Sequence, residues 1–198
     1  MIIFENLTKM YDNKIILLNL NYKFKENIKY CFLGKSGIGK TTLLKILLGI
    51  EKVDDGKIIH NDCKKSVVFQ NDRLFEDFTV LENLTVINKN IEYCIEILNK
   101  LDIFNEEKNI CLNLSGGMKR RIAIARALAF KSDEYYFDEP FKGLDYNTKE
   151  KVINVIKEYT KNKTCFFITH SIEEAFKIAD VVINIDKSPI NNFEILKE

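Results

Sequence analysis

Long apolar runs are missing from this chain of 198 residues. No stretch approaches the roughly 20 apolar residues that a membrane-spanning helix needs, so we do not expect the chain to cross a bilayer. The first residues, Met1–Asn6, lack the charged region and the small-residue cleavage site of a signal peptide. We therefore expect a cytoplasmic protein.

An excess of charge and paired cysteines are also missing. The chain has 30 Lys and Arg against 29 Asp and Glu, which argues against a strong electrostatic attraction to nucleic acid. Its five cysteines form no C-x-x-C pair. This pattern predicts neither a disulfide framework nor a zinc site, and it fits a reducing compartment. With 46% hydrophobic and 30% charged residues, the composition is that of a globular domain.

A glycine-rich stretch of the form G-x-x-x-x-G-K-T lies between an apolar run and a helical pattern. Its residues are Gly34, Lys35, Ser36, Gly37, Ile38, Gly39, Lys40 and Thr41, and Thr42 continues into the helix. Such a loop turns its N–H groups towards one anion, and the helix that follows adds the positive end of its dipole. We expect Lys40 to reach the β- and γ-phosphates of a nucleotide and Thr41 to bind Mg²⁺. The alternative is a glycine-rich turn that binds nothing.

Strands and helices alternate along most of the chain. This alternation predicts an α/β fold of the P-loop NTPase class, with a mostly parallel sheet flanked by helices. The first two strands, 2–8 and 15–24, lie on either side of an Asp12-Asn13 turn, and the second shows the period of two that is typical of an antiparallel strand. We predict a single domain, 1–198. Its RecA-like core with the antiparallel part covers about 1–70 and 131–198, and a small helical subdomain covers about 71–130.

An acidic pair, Asp138-Glu139, ends the apolar strand 135–138. Ligands of open α/β sheets lie beyond the carboxyl ends of the strands, so we expect Asp138 to face the nucleotide and to hold Mg²⁺ through water. Glu139 lies just outside the strand, where it can polarise a water that attacks the γ-phosphate. Without the phosphate loop, a solvated loop tip would be the simpler interpretation of this pair.

A second glycine-bearing turn opens the helical pattern 115–130. Ser115 can cap this helix, and Gly116 and Gly117 allow an anion to approach the backbone. The run Leu114–Ala127 resembles the ATP-binding cassette (ABC) ATPases, whose signature turn reads LSGGQ and precedes basic residues and an A-x-A-R-A helix. Alone, this run would be an ordinary capped helix. Between the phosphate loop and the acidic pair, it indicates the ABC family.

The resemblance extends from Tyr11 to about Asp186 and implies roles for four more residues. Gln70 matches the glutamine that reaches the metal and the attacking water. His170 matches the histidine that contacts the γ-phosphate, and Asp145 matches a loop that links the two active sites of a dimer. Tyr11 matches the aromatic residue that stacks on adenine, although a half-buried aromatic at a strand end stays open as the alternative.

Two residues depart from the family pattern. Met118 stands where glutamine is usual, and methionine cannot hydrogen-bond a ribose as an amide does. We therefore expect a modest difference in nucleotide affinity or dimer stability. Glu134 stands at a place that is usually apolar. Either it lies at the exposed start of its strand, or the strand begins one residue later.

The resemblance implies an ATPase that works as a head-to-tail dimer, either of two copies or of two paired cassettes. ATP would lie between Gly34–Thr41 of one cassette and Ser115–Gly117 of the other. In transporters of this family, the helical region forms a groove for a membrane permease. The region Gln70–Asn83 corresponds to it, and its apolar residues Leu74, Phe75 and Phe78 either line the groove or pack inside the small lobe.

Three stretches, Phe69–Phe75, Thr79–Asn83 and Asp138–Asp145, are similar to importer cassettes of the nitrate, sulfonate and taurine type. This similarity implies a peripheral subunit on the inner face of the cell membrane, with a permease as partner and indirectly an extracytoplasmic solute-binding protein. No nucleic acid is expected. One alternative is a soluble ABC ATPase acting on nucleic acid or ribosomes, but this chain lacks their second cassette, coiled-coil insertion or zinc module. Another is a small-molecule kinase, which would lack the signature turn and His170.

Overall fold

Nine strands form the β-structure of the described residues, which are 1–12 and 14–198 of this computed structural model. Asn13, in the predicted Asp12-Asn13 turn, lies outside them. The strands are β1 (Ile2–Tyr11), β2 (Lys14–Phe24), β3 (Lys29–Gly34), β4 (Asp55–His60), β5 (Lys65–Val68), β6 (Glu134–Asp138), β7 (Thr164–Thr169), β8 (Val181–Ile185) and β9 (Glu194–Lys197).

These strands form two sheets. The first has three antiparallel strands in the order β2-β1-β4, and the second has six strands in the order β5-β6-β7-β3-β8-β9. All neighbours in the second sheet are parallel except β9, which adds an antiparallel edge. The predicted α/β fold with a mostly parallel sheet and an antiparallel part is confirmed.

Within the described residues there are six α-helices, which are α1 (Lys40–Leu48), α2 (Val80–Thr85), α3 (Ile91–Lys100), α4 (Gly116–Ala129), α5 (Tyr146–Tyr159) and α6 (Ile172–Ile178). Short 3₁₀ turns at Phe104–Glu106 and Cys111–Asn113 connect α3 to α4. Thr79 and Glu82 form a capping box at the start of α2. In the part of the chain that the structure describes, no helix combines the length and the apolarity of a membrane span.

The central sheet separates two apolar clusters, because neighbouring strand residues point to opposite faces. Phe137 and Phe167 pack on one side with α4 and α5. Tyr136 and Phe166 pack on the other side with α1 and the antiparallel sheet. Since both faces are covered, β6 and β7 are buried along their whole length.

The helix α3 buries Cys94, Ile97 and Leu98, whereas Ile91 is exposed. One local prediction was wrong. Glu134 was expected at an exposed strand start or outside the strand. It is the first residue of β6 and is only 8% exposed. Its carboxylate is buried because His60 and Tyr136 hydrogen-bond both of its oxygens.

Candidate functional site

The phosphate loop connects β3 to α1 and needs glycine at two positions. Gly34 has φ +154°, and a Cβ there would lie 2.2 Å from the carbonyl oxygen of Ile185. Gly39 has φ +115°, and a Cβ there would lie 2.6 Å from Cγ2 of Ile16. Both glycines therefore let the loop pass close to its neighbours in a conformation that other residues rarely adopt.

Lys40 is the first residue of α1 and is only 6% exposed. Its Nζ donates hydrogen bonds to the carbonyl oxygens of Gly34 and Lys35, both at 2.7 Å. Burial lowers the pKa of Lys40, although the nearby carboxylates of Glu139 and Asp138 act in the opposite direction. No side chain caps the start of α1, so the N–H groups of its first turn remain available to an anion.

The carboxyl end of β6 carries the acidic pair. Asp138 is 3% exposed, and its Oδ2 accepts a hydrogen bond from Oγ1 of Thr41 at 3.2 Å. Burial raises the pKa of Asp138, and the Thr41 hydroxyl only partly offsets this effect. A buried carboxylate with so few donors would be stabilised by a bound cation.

Glu139 follows in a left-handed backbone conformation, with φ 49°. A non-glycine residue in this region costs roughly 1–3 kcal/mol, and such strain is common at functional sites. Its N–H donates to the carbonyl oxygen of Ile168 at 3.0 Å, which fixes the backbone. Its Oε1 lies 3.6 Å from Nδ1 of His170, whose side chain is 67% exposed.

These groups meet in one cavity of about 250 Å³. It is lined by Ile16, Ser36, Gly37, Gly39, Lys40, Thr41, Thr42, Gln70, Asp138, Glu139 and Ile168. A lysine, a helix N-terminus and two carboxylates thus face the same space. This arrangement can hold a polyphosphate next to a cation and a proton acceptor.

Other predicted site residues lie outside this lining. Gly34 and Lys35 offer their carbonyl oxygens to Lys40 instead, and Ile38 packs against the apolar cluster around α1. Tyr11, at the end of β1, is 40% exposed. The Nζ of Lys9 lies 4.9 Å from its ring centre, so the aromatic face is directed at a cation and not into the core.

The signature turn also contributes nothing to the cavity. Oγ of Ser115 accepts a hydrogen bond from the Met118 N–H at 3.3 Å and caps α4. Ser115 and Gly116 are exposed. A Cβ on Gly117 would lie 3.4 Å from the carbonyl oxygen of Gly143, which is two residues before the α5 cap, Asp145. The turn and the Gly143–Asp145 loop therefore lie side by side.

Sequence reasoning missed Arg120, which is 3% exposed. Its guanidinium donates to the carbonyl oxygens of Phe69, Gln70, Asp138 and Glu139 and to the carboxylate of Asp72. Arg120 thereby connects the start of α4 to the two segments that carry Gln70 and Glu139 at the cavity. A signal was present in the sequence, because Arg120 shares a helix face with Ala123, Ile124 and Ala127, all of which are buried.

The apolar residues after Gln70 were predicted either to line a docking groove or to pack inside the small lobe. The structure shows some of them exposed and one packed inside. Phe75 and Phe78 are 46% and 42% exposed, and their ring centres lie 5.3 Å apart. Leu74 is half-buried and packs against the core. Phe75 also lines a second cavity of about 360 Å³, together with Phe69, Arg73, Ile87, Arg126 and Phe130.

Comparisons with known proteins agree with this geometry. The profile of the ABC transporter family matches residues 17–142. An uncharacterized ABC transporter ATP-binding protein of Methanocaldococcus jannaschii is 35% identical over 98% of this chain and 80% of that protein. A sulfate/thiosulfate import ATP-binding protein of Mannheimia succiniciproducens is 32% identical, over 96% of this chain and 60% of its own length. A spermidine/putrescine import ATP-binding protein of Acetivibrio thermocellus is 33% identical, over 94% and 58%.

A solved ABC transporter cassette, MJ0796, has the same fold in two states. Its dimeric structure superposes with a TM-score of 0.86 at 28% identity, over the full length of both chains. Its dimeric post-hydrolysis state, bound to ADP and Pi, gives a TM-score of 0.87 at 27% identity, again over both full chains. The chain therefore belongs to the ABC transporter family, as an ATP-binding and ATP-hydrolysing cassette.

Proposed function

We propose that this cassette powers solute import through a membrane permease, by closing around ATP as a head-to-tail dimer and opening after hydrolysis. One observation carries the proposal. The cavity at the carboxyl edge of the sheet contains Lys40, Asp138 and Glu139 but no part of the signature turn. A chain that binds phosphate at one surface and leaves its second glycine turn exposed fits a site that a partner completes.

In the proposed site, Lys40 and the loop Gly34–Thr42 hold the phosphates of ATP. When ATP binds, the Lys40 ammonium exchanges the loop carbonyl oxygens for phosphate oxygens. The negative phosphate then pairs with this buried positive charge. Tyr11 lies against the adenine. Its neighbour Lys9, held by Glu51 at 2.8 Å, fixes the surroundings of the ring.

The oxygens of Thr41 and Asp138 lie 3.2 Å apart, and Gln70 lines the same cavity. Magnesium prefers such oxygen ligands. We therefore assign Thr41, Gln70 and Asp138 to Mg²⁺. When bound, the ion would neutralise charge that develops on the phosphates.

Glu139 is proposed to orient the attacking water and to accept its proton, because its carboxylate borders the phosphate space. His170, 3.6 Å from that carboxylate, is proposed to contact the γ-phosphate. Its exposed position suits a residue that makes its final contacts after the partner closes over the site. Gln70 would contact the same water from the other side of the cavity.

The dimer would bring Ser115, Gly116 and Gly117 of the partner cassette onto the ATP. The exposure of Ser115 and Gly116 and the adjacent Gly143–Asp145 loop support this arrangement, and the solved relative is a dimer. The partner is either a second copy of this chain or a different cassette whose surface is complementary to it. We propose the homodimer as the simplest assembly.

The region Gln70–Asn83 is proposed to dock a permease, since Phe75 and Phe78 form an exposed aromatic pair beside an apolar cavity. The import relatives support import, and the motifs near Gln70 support the nitrate, sulfonate and taurine type within it. In this proposal the cassette lies on the cytoplasmic face of the membrane, and a solute-binding protein acts on the permease from outside. We further propose that 71–130 moves as a helical subdomain against the core.

The test of hydrolysis is Glu139→Gln, which keeps the shape of the side chain but removes the proton acceptor. We expect ATP binding to persist, ATP turnover to fall at least about 100-fold, and a dimer to accumulate with ATP in size-exclusion chromatography. Glu150→Gln, on α5 and paired with Lys177, is the matched control and should behave as wild type. Unchanged turnover in Glu139→Gln would exclude the assigned role.

The test of docking is capture of a membrane permease by the tagged cassette. Phe75→Ser with Phe78→Ser should lose this capture and keep basal ATP turnover. The matched control is Ile172→Ser, which alters another exposed apolar residue, on the first turn of α6. Co-purification of ribosomes or nucleic acid in place of a permease would contradict the transport function.

A further inference from the structure

A second group of chemically reactive side chains lies at the opposite end of β6 from the nucleotide cavity. His60 ends β4, Cys63 lies in the connection that follows, and Glu134 begins β6. Their ligand atoms all lie within 4.8 Å of one another. Nothing in the ATPase mechanism uses these residues.

The separations are close to those of a metal centre. Nε2 of His60 lies 2.8 Å from Oε1 of Glu134 and 3.9 Å from Sγ of Cys63. In a tetrahedral zinc site, with bonds of about 2.0–2.3 Å, adjacent ligand atoms are about 3.3–3.8 Å apart. The first pair needs to widen by roughly half an ångström and the second to close slightly. Side-chain rotation is enough for both changes.

The surroundings of the cluster also resemble a metal site. The Tyr136 hydroxyl donates to Oε2 of Glu134 at 2.6 Å, which orients the carboxylate and leaves Oε1 directed at His60. Such outer hydrogen bonds hold metal ligands in place. The side chains of His60 and Glu134 are only 11% and 10% exposed, so the ligands are largely screened from water.

We propose that His60, Cys63 and Glu134 bind Zn²⁺, through Nε2, Sγ and Oε1, and that this ion joins the antiparallel sheet to the central sheet. An imidazole, a thiolate and a carboxylate are the ligand types that zinc combines. The thiolate and carboxylate charges balance those of the ion. A cavity of about 190 Å³, which these three residues help to line, leaves room for a water as the fourth ligand.

Cysteine spacing did not indicate this site, because the ligands come from separate segments. Glu134 is 74 residues from His60. A paired-cysteine motif detects only ligands that are close in sequence. The proposal also gives a reason for an acidic residue at the start of an otherwise aromatic buried strand.

Zinc has to displace protons from this cluster. Burial raises the pKa of the Cys63 thiol to about 11, with Glu134 and Asp133 acting in the same direction and Lys65 against them. The thiol proton is therefore released when the ion binds. The imidazole Nε2 must also be free of its proton, which then belongs on Nδ1, where Nζ of Lys65 now lies at 3.3 Å. Lys65 accordingly opposes zinc binding.

The experiment uses the full chain, stripped of metal and free of nucleotide, in excess Mg²⁺. Zinc affinity is measured by competition with a chromophoric chelator, and Co²⁺ is added as a spectroscopic probe. We expect one zinc equivalent per chain and a thiolate-to-cobalt charge-transfer band. Cys63→Ser should remove the band and weaken zinc binding at least about 100-fold, since even the loss of an outer hydrogen bond costs 10–100-fold.

His60→Gln should have the same effect, and His170→Gln, which removes the only other histidine of the sequence, is its control and should keep both signals. Lys65→Met should tighten binding. Cys63 lies in a connection and is only half-buried, so its serine variant is expected to fold, and circular dichroism checks this. Equal zinc affinity in wild type and Cys63→Ser, or cobalt binding without the thiolate band, would overturn the proposal.

Discussion

Two glycine turns open helices in this molecule, and they differ in what surrounds them. The phosphate loop begins α1 without a side-chain cap. Its neighbours Lys40, Thr41, Asp138 and Glu139 come from the same chain and share one cavity. The signature turn begins α4 with Ser115 as its cap, and Ser115 and Gly116 are exposed.

Under the proposed dimer, the phosphate loop is a nearly complete site, and the signature turn is half of a site that a second cassette completes. The open N–H groups of α1 and the buried Lys40 require an anion, which binding of a polyphosphate supplies. The signature turn already satisfies one N–H through Ser115, so it can stay exposed without cost until a second cassette presents its nucleotide. Two similar glycine turns thus differ in use: the phosphate loop binds an anion within its own chain, and the signature turn stays exposed to a partner.

The largest mutational effect is expected at Lys40, in the phosphate loop. Lys40→Ala removes the only buried ammonium facing the cavity among the described residues. We expect ATP affinity to fall at least about 100-fold, because charge-assisted hydrogen bonds contribute about 1.5–3 kcal/mol each. Titration calorimetry measures the loss. Lys35→Ala is the control, since Lys35 is exposed and offers only its carbonyl oxygen to the site; wild-type affinity in Lys40→Ala would show that the loop alone binds ATP.

The second turn is tested by Ser115→Arg, which places a bulky charge on its exposed surface. ATP binding by the single chain should change by less than about threefold, while turnover should fall about 100-fold, as when one transition-state donor is removed. The variant also loses a helix cap, at about 1 kcal/mol of stability. Asn90→Ala removes the comparable cap of α3 and should keep its turnover. An equal loss of turnover in Asn90→Ala would attribute the effect to stability.

The sequence was sufficient to predict both glycine turns and the strands next to them, because these features depend on local patterns. The predicted alternation of strands and helices is present in the order β6, α5, β7, α6 and β8. The acidic pair was placed correctly at the cavity because parallel strands end at one edge of the sheet.

Contacts between distant segments were not predictable. Arg120 reaches carbonyl oxygens 18 to 51 residues away, and Glu134 is buried because His60 meets it from another sheet. A local pattern contains no information about such partners. The apolar helix face indicates burial of Arg120, but the partners of Arg120 and of Glu134 had to be seen in the structure.

Arg120 connects the two turns, because it belongs to α4 and holds the carbonyl oxygens of Gln70 and Glu139. We regard it as a positioning residue. Arg120→Lys keeps the charge but loses the planar fork, so kcat should fall about 10-fold while the affinity for ATP stays within about twofold. Arg121→Lys is the control, since Arg121 donates to Leu101 and Asp102, away from the cavity. A parallel loss of kcat and ATP affinity would indicate general damage to the fold.

The smallest expected effect concerns Met118, which is half-buried and packs against the core behind the signature turn. Met118→Gln supplies an amide that can hydrogen-bond a ribose across the dimer. One such bond contributes about 0.5–1.5 kcal/mol, so we expect ATP-dependent dimerisation of the Glu139→Gln background to tighten about threefold in analytical ultracentrifugation. Met118→Leu keeps the packing without the amide and should give no gain. An equal gain in both variants would assign the effect to packing of α4, and the exposed turn would then not read the partner's nucleotide through this position.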